Sequence, residues 1–223
     1  KDFSCSWKSF NRNALMEKKH LIIFVPTDVE KKYLKDSLKS LEKSLNFSYK
    51  LVVTGFGKVN ASQYCALETQ SQCDAVVSCG FCGATSDFGV GDVVNPHQVL
   101  DYSITKILET FPNPENFPPT QIKTVSIEVN PSSMVCGDQW VGEKEYQERE
   151  EMFSQYKPLT FDMESFAIAQ VAFDLNIPTI VAKIVADNVQ SDGSEQQYES
   201  AQEFIVNFDA VVYLLNDIVT NSL

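Results

Sequence analysis

The chain has 223 residues, a length that suits one sizeable domain with a core large enough to be stable without cross-links. Its net charge of −12 argues against a nucleic-acid partner, because phosphate-backbone binding needs a basic surface. Apolar residues make up 43% of the chain, as in average globular proteins, and no apolar run reaches the ~18 residues of a membrane span.

The first residues and the cysteines bear on domain limits and compartment. Residues 1–15 lack the hydrophobic stretch of a signal peptide, and Met16 opens "MEKKHLIIF" directly before a predicted strand. We expect a domain over 16–223 and an N-terminal extension over 1–15. The six cysteines predict buried thiols in a reducing compartment, the cytoplasm. Cys79 and Cys82 form a lone CxxC motif, and with two histidines in the chain we expect no metal site.

The first third of the chain predicts two strands, each followed by a helix. "HLIIFVP" at 20–26 is a short buried strand, and the leucines that follow it lie on one helix face at positions 34, 38, 41 and 45. "YKLVVTGFGKV" predicts a second strand and a glycine turn. Asn60 is the predicted cap of a helix that reaches about Cys73.

The middle of the chain predicts further strands and one long loop. "DAVVSCGFCGA" is a strand that runs into a small-residue loop over 80–84, and "VGDVVNP" is a fourth strand. Four prolines within 108–120 predict a loop that acts as a lid or a partner contact. "QIKTVSIEVN" and "SMVCGD" predict strands, and the charged segment 142–156 predicts a surface helix.

The last third alternates in the same way. A small-residue apolar helix is predicted over 164–175, and "TIVAKIVAD" is a strand buried on both faces, as in parallel sheets. A polar loop over 188–197 leads to a helix over 198–220. The alternation predicts a single α/β domain with a central mixed, mostly parallel sheet flanked by helices.

Unusual residues follow four of the predicted strands. They are Glu30, the 80–84 loop, the pair Met163–Glu164, and Asp187. Because sites in such sheets lie beyond the carboxyl ends of the strands, we expect these residues to meet in one crevice.

Five stretches occur in the order and spacing of a known family: "TGFGKVNAS" (54–62), "SCGFCGATSDFGVGDVV" (78–94), "CGDQWVG" (136–142), "FDMESFAIAQV" (161–171) and "KIVADN" (183–188). With them the chain resembles the methylthioadenosine/S-adenosylhomocysteine nucleosidases, within the purine nucleoside phosphorylase superfamily. The likeness covers roughly residues 20–220. It implies the nucleoside phosphorylase-like fold and a small-molecule nucleoside substrate, with no cofactor and a homodimer as the assembly.

The resemblance implies a role for each carboxyl group. Asp187 is the acid that protonates purine N7, and Glu30 activates water. Glu164 hydrogen-bonds the ribose hydroxyls while Met163 packs beneath the sugar. Acid assistance to a leaving purine is worth ~10²–10⁴ in rate, so these residue types suit cleavage of an N-glycosidic bond.

The resemblance also implies five further substrate-binding positions. Trp140 stacks on the purine, the Val141 backbone reads the base edge, and Tyr198 closes over the ribose and the 5′ group. Phe81 stands near the ribose where the family has serine or threonine, and Lys183 replaces an arginine of many members. Ala186 replaces a hydroxyl residue that helps to hold the acid.

These features predict a purine nucleosidase that hydrolyses 5′-methylthioadenosine or S-adenosylhomocysteine to adenine and a thioribose. The departures leave two alternatives open: a purine nucleoside phosphorylase, or a nucleoside-binding protein of the same fold with lost chemistry. The chain has two arginines, which disfavours a site that must grip free phosphate.

Each proposed site residue also has an ordinary structural explanation. Glu30 follows Thr27 at capping-box spacing, and Glu164 can cap its own helix. Asp187 can start a turn, and Trp140 can be core or interface packing. Lys183, on a buried strand, needs a carboxylate partner in either case.

Overall fold

The computed structural model describes residues 18–103, 121–127, 130–148, 150–189 and 207–223. The strands in these ranges are β1 Lys19–Val25, β2 Phe47–Val53, β3 Ala75–Ala84, β4 Val93–Val94, β5 Gln98–Asp101, β6 Gln121–Lys123, β7 Ser133–Cys136, β8 Leu159–Asp162 and β9 Thr179–Asn188. The α-helices are α1 Asp28–Ser40, α2 Lys58–Glu68, α3 Glu143–Gln147, α4 Glu150–Ser154, α5 Ser165–Asp174 and α6 Phe208–Asn221. None of these helices combines the length and apolar character that a bilayer crossing requires.

One mixed sheet holds all nine strands. Its main path runs β2-β1-β3-β8-β7-β5-β6, and β9 pairs with both β3 and β4. The pairs β1–β2, β1–β3, β3–β9, β5–β7 and β7–β8 are parallel, whereas β3–β8, β4–β9 and β5–β6 are antiparallel. The predicted α/β fold with a mixed, mostly parallel sheet flanked by helices is confirmed.

Helices cover both faces of the sheet. On one face α1 and α6 pack on β1, β3 and β9, with Leu34 and Phe208 fully buried. On the other face α2 and α5 bury Ala61, Cys65 and Ile168 against β1 and β3. Because helices cover both faces of the sheet, nine of the ten residues of β9 are buried, as predicted for a strand buried on both faces.

Strand β3 is longer than the sequence predicts. The segment 80–84 was expected to be a loop but continues the strand, paired with β9 through Asn188 and with β8 at its last two residues. Between Cys82 and Gly83 the register shifts so that Ala186 of β9 is skipped, which is a bulge in β9 beyond which the pairing with β3 continues. The loop prediction was therefore wrong.

Two helix limits also differ from the predictions. Helix α1 ends at Ser40 and a 3₁₀ turn, Glu42–Ser44, carries the chain to Leu45, which is still buried. Helix α2 begins at Lys58 with Gly57 as its N-cap and ends at Glu68. The prediction that Asn60 caps it was wrong, since Asn60 lies in the first turn and its amide donates back to the Phe56 carbonyl at 2.9 Å.

The charged segment 142–156 forms two short helices, α3 and α4, and not one surface helix. Tyr146 and Phe153 from these helices are buried with Tyr102 and Phe161 in an aromatic cluster beside β5, β7 and β8. Strand β5 was not predicted. The extension over 1–15 and the proline-rich 108–120 loop lie outside the described residues, as does the start of the predicted last helix.

Candidate functional site

A cavity opens at the carboxyl ends of β3, β8 and β9, beside the first turn of α1. Four carboxyl groups line it: Glu30, Asp162, Glu164 and Asp187. Seven of the nine residues predicted to form the site line this cavity: Glu30, Phe81, Trp140, Val141, Met163, Glu164 and Asp187. Lys183 is not among the lining residues, and Tyr198 lies outside the described residues.

Asp187 is a buried carboxyl group inside β9, so the alternative that it starts a turn is wrong. It is 2% exposed, and within the described part of the chain its Oδ1 atom has no hydrogen-bond partner. Burial raises the pKa of Asp187 to about 7. A Cβ atom at Gly83 would lie 3.3 Å from that oxygen, which is why the strand needs a small residue beside it. A group of this kind can hold and donate a proton near neutral pH.

Glu30 is held at the start of α1 by two kinds of hydrogen bond. The Thr27 hydroxyl accepts from the Glu30 backbone N–H at 3.2 Å and donates to Oε2 at 2.5 Å. The Phe81 backbone N–H donates to Oε1 at 2.9 Å. The capping alternative is confirmed, and the Glu30 side chain faces the cavity at the same time.

The charge state of Glu30 reflects opposing effects. Burial raises the pKa of Glu30 above its usual value, while the bonds from Thr27 and Phe81 and the Lys183 charge act to lower it. Gly80 allows the close approach of β3, because a Cβ atom there would lie 2.4 Å from Glu30 Oε1. Its φ of +128° also favours glycine.

Glu164 lies directly before α5 but makes no side-chain cap bond to it, so the capping alternative was wrong. Its Oε1 atom instead accepts from the Gly57 backbone N–H at 2.8 Å, at the start of α2. Burial, followed by the nearby Asp162 charge, raises the pKa of Glu164 to about 7. Glu164 therefore presents a largely desolvated carboxyl group to the cavity.

Lys183 lies on β9 and is fully buried. Its Nζ atom lies 3.0 Å from Asp162 Oδ2 and 3.4 Å from the Cys79 carbonyl oxygen. The expected carboxylate partner is thus Asp162. Burial acts to lower the pKa of Lys183, but the charges of Asp162, Glu164 and Glu30 outweigh burial and raise it. Lys183 acts on the cavity through its charge.

The aromatic side of the cavity comes from the loop after β7 and from β3. Trp140 is 54% exposed, so it is not core packing, whereas the neighbouring Val141 is buried. Lys58 anchors this loop: its Nζ atom lies 3.2 Å from Asp138 Oδ2 and 3.0 Å from Asp101 Oδ1. The loop is therefore tied to the N-terminus of α2.

The lining also includes residues that were not predicted to form the site, among them Phe56, Gln139, Phe161 and Asp162, whereas Cys82 belongs to the 80–84 segment that was expected there. For Asp162 a signal existed, because the buried Lys183 demands an acid and Asp162 ends the strand that precedes β9 along the chain. For the others no comparable signal existed. Cys79 and Cys82 are free and buried, and no metal-type grouping of three or more His, Cys, Asp or Glu occurs in the described ranges.

Comparison with known proteins then assigns the family. The family model described as "Phosphorylase superfamily" matches residues 49–215, which is more than half of the chain. The chain belongs to the phosphorylase superfamily. This membership confirms the superfamily that the five sequence stretches indicated.

Within the superfamily the chain is similar to proteins of one named activity. A 5′-methylthioadenosine/S-adenosylhomocysteine nucleosidase of Maridesulfovibrio salexigens is 26% identical over 175 residues, 69% of this chain and 74% of the relative. The fold matches the apo 5′-methylthioadenosine nucleosidase of Arabidopsis thaliana with a TM-score of 0.73 and 18% identity, over 92% of this chain and 97% of that one. It also matches a methylthioadenosine/S-adenosylhomocysteine nucleosidase of Colwellia psychrerythraea in complex with adenine, with a TM-score of 0.69 and 18% identity, over 91% and 96% of the chains. The predicted resemblance is confirmed.

Proposed function

We propose that this member of the phosphorylase superfamily is a purine nucleosidase that hydrolyses the N-glycosidic bond of 5′-methylthioadenosine or S-adenosylhomocysteine. The observation that carries the proposal is the meeting of Asp187, Glu30 and Glu164 at one cavity. The M. salexigens relative and the structural neighbours carry the name of this activity. Their agreement with the site geometry favours this reaction over others of the fold.

In the proposed reaction two carboxyl groups divide the proton transfers. Glu30 accepts a proton from water, and the water oxygen forms a bond to C1′ of the ribose. The C1′–N9 bond breaks, its electron pair passes to the purine, and Asp187 donates its proton to N7. Solvent then returns Asp187 and Glu30 to their starting states. A pKa of about 7 lets Asp187 hold that proton at neutral pH.

The remaining lining residues are proposed to bind the nucleoside. Glu164 accepts hydrogen bonds from the ribose hydroxyls, and Met163 packs beneath the sugar. Trp140 stacks on the purine, and the Val141 backbone reads its edge. Phe81 lines the cavity and is proposed to border the ribose; its ring packs edge-on against Phe208 with centroids 5.7 Å apart.

Further binding roles are proposed for Lys183, which is not among the lining residues, and for Tyr198, which lies outside the described residues. Tyr198 closes over the ribose and the 5′ group. Lys183 acts through its positive charge on Glu30 and Glu164 and does not need to touch the substrate. Both roles extend the assignment that the family resemblance implies.

Hydrolysis is favoured over phosphorolysis by the charge of the cavity. Among the described residues, the lining includes four carboxyl groups and neither lysine nor arginine. The buried cation, Lys183, is already paired with Asp162 at 3.0 Å. A phosphate dianion would meet repulsion here and find no bidentate partner.

The test is release of free base from methylthioadenosine, adenosine and inosine, with and without phosphate. We expect adenine from methylthioadenosine at a rate that phosphate does not change. A phosphate requirement would assign a phosphorylase. If calorimetry detects nucleoside binding but no product forms, the protein is a nucleoside-binding protein that has lost the chemistry. Phe81 and Ala186, which replace hydroxyl residues of the family, would then account for the loss.

We also propose a homodimer and a cytoplasmic location. Support for the dimer comes from an apolar face formed by Phe56, just before α2, and by Val59, Tyr64 and Leu67 on α2, which are 62%, 79%, 40% and 54% exposed. Exposed apolar side chains grouped in this way are typical of an interaction surface. Phe56 also lines the cavity, so a partner on this face would border the site.

The free state of the five described cysteines suits a reducing compartment, which supports the proposed cytoplasmic location.

A further inference from the structure

Asp162 lies between Lys183, the start of α5 and the cavity. It is the last residue of β8, lines the cavity and precedes Glu164 by two positions. Its side chain is 2% exposed and forms the ion pair with Lys183 at 3.0 Å. The backbone N–H of Ser165 donates to both of its carboxylate oxygens, at 3.2 and 3.1 Å, and the Ser165 hydroxyl also donates to it.

The bonds from Ser165 mean that Asp162 supplies the side-chain cap of α5. An acid placed directly before a helix ordinarily accepts from the helix's own first-turn N–H groups. Glu164 occupies that position but does not cap α5; it accepts from Gly57 on another element. With Asp162 serving the cap, the Glu164 carboxylate is left to the cavity.

The second effect of Asp162 concerns charge. Glu164 is surrounded by Asp162 from β8, Lys183 from β9, Glu30 from α1, the Gly57 N–H, and Cys136 from β7. Lys183 is the cation in this set, and its close carboxylate partner is Asp162. Without Asp162, the same ammonium group would be compensated by Glu164 and Glu30, which already feel its charge.

We propose that Asp162 is a positioning residue that caps α5 and holds Lys183, and thereby keeps the Glu164 carboxyl group free to bind ligand. The inference rests on the proposed function, because it takes Glu164 as a ligand-binding group. Its consequence is visible without any ligand. Removing the Asp162 charge should turn Lys183 toward Glu164 and make Glu164 harder to protonate.

The test follows the titration of Glu164 by carbon NMR of protein labelled at the glutamate carboxyl carbons. The Glu164 signal is identified by its absence in Glu164→Gln. In Asp162→Asn the amide oxygen still caps α5 while the charge is gone, so we expect the Glu164 midpoint to fall by about one to three pH units. In Asp162→Asn/Lys183→Met both charges are absent, and we expect a midpoint between those of the wild type and the single variant.

Ser165→Ala is the matched structural control, because it removes a bond to Asp162 and leaves both charges in place. We expect its Glu164 midpoint to equal that of the wild type. An Asp162→Asn midpoint equal to the wild type would overturn the inference. If Asp162→Asn does not fold, the test uses the double variant Asp162→Asn/Lys183→Met. A Glu164 midpoint in the double variant that is not below the wild-type value would contradict the role of Asp162.

Adenine release measured on the same samples separates the two proposals. A wild-type protein without turnover would remove the proposed function, yet the NMR titration would still report on Asp162. If the wild type is active, Asp162→Asn should raise KM for methylthioadenosine, because Lys183 then competes with the ribose hydroxyls for Glu164. A lower kcat with unchanged KM and an unchanged Glu164 titration would indicate a purely structural residue.

Discussion

Two acids of the cavity differ in what surrounds them. Within the described residues, Asp187 Oδ1 meets no donor, and burial alone raises its pKa to about 7. Glu30 receives bonds from Thr27 and Phe81 that favour its ionised form and oppose the effect of burial. One cavity can therefore hold a proton donor and a proton acceptor together.

The buried Asp187 predicts a specific pH dependence of stability. Its pKa is about 7 in the folded protein and near 3.8 when unfolded, so the folded state keeps a proton that the unfolded state loses between those values. The free energy of unfolding should thus fall as pH rises through this window, by about 1.4 kcal/mol per pH unit from this residue. The Asp187→Asn protein does not lose stability in this way. In urea titrations, its free energy of unfolding relative to that of the wild type should therefore rise from pH 4 to pH 7.

Subtracting the free energy of unfolding of the wild type from that of Asp187→Asn cancels the contributions of the other titrating groups, including Glu164. The difference should be constant below the unfolded pKa and again above the folded one. A difference that stays flat between pH 4 and pH 7 would show that Asp187 has the same pKa in both states.

Gly80 gives a second test, this time of the position of Glu30. In Gly80→Ala a Cβ atom would lie 2.4 Å from Glu30 Oε1, at a φ of +128°. We expect a loss of about 1–3 kcal/mol in the free energy of unfolding and a large fall in kcat, since Glu30 must move. Gly89→Ala is the control, because its Cβ atom would find ordinary contact 3.7 Å from Asp92 and activity should be kept. Unchanged kcat in Gly80→Ala would contradict the placement of Glu30.

Most of the lining residues could be predicted because they follow strands in an alternating α/β pattern. The division of roles between Asp162 and Glu164 could not. Both acids stand before the same helix, and which one caps it depends on Gly57 and Lys183, which are distant in sequence. Capping preferences describe neighbours along the chain and do not include such contacts.

Helix α1 links local sequence to the chemistry of the site. Its N-cap, Thr27, both accepts from the Glu30 N–H and donates to the Glu30 carboxylate. Thr27→Ala should lower the free energy of unfolding by about 1 kcal/mol and also lower kcat, because Glu30 loses a partner. Thr27→Ser keeps the hydroxyl and should keep both quantities near wild type. Stability lost with kcat intact would limit Thr27 to a helix cap.

The elements that sequence reasoning misjudged share a physical cause. Segment 80–84 is rich in small residues and reads as a loop, yet β9 and β8 pair with it and extend the strand. Asn60 is a good cap by type, but Gly57 starts the helix three residues earlier. The helix of the 142–156 segment divides in two, with Tyr146 and Phe153 both buried. In each case tertiary pairing or packing overrode local preference.

At the scale of the whole molecule, the proposed homodimer would form through the apolar face of Phe56, Val59, Tyr64 and Leu67. Val59→Arg would place a charge in that interface, so light scattering should show the mass fall from twice 25.0 kDa to a single chain. Lys35→Glu, an exposed change on α1 at the opposite face of the sheet, should leave the dimer intact. A Val59→Arg protein that remains dimeric would place the interface elsewhere.

The most direct test compares adenine release from methylthioadenosine by the wild type, Asp187→Asn and Asp36→Asn. Asp36 is exposed on α1 and controls for the loss of one carboxylate. If Asp187 protonates the departing purine, Asp187→Asn should lose about 10²–10⁴ in kcat while remaining folded, and Asp36→Asn should match the wild type. A folded Asp187→Asn protein with near-normal kcat would contradict the account.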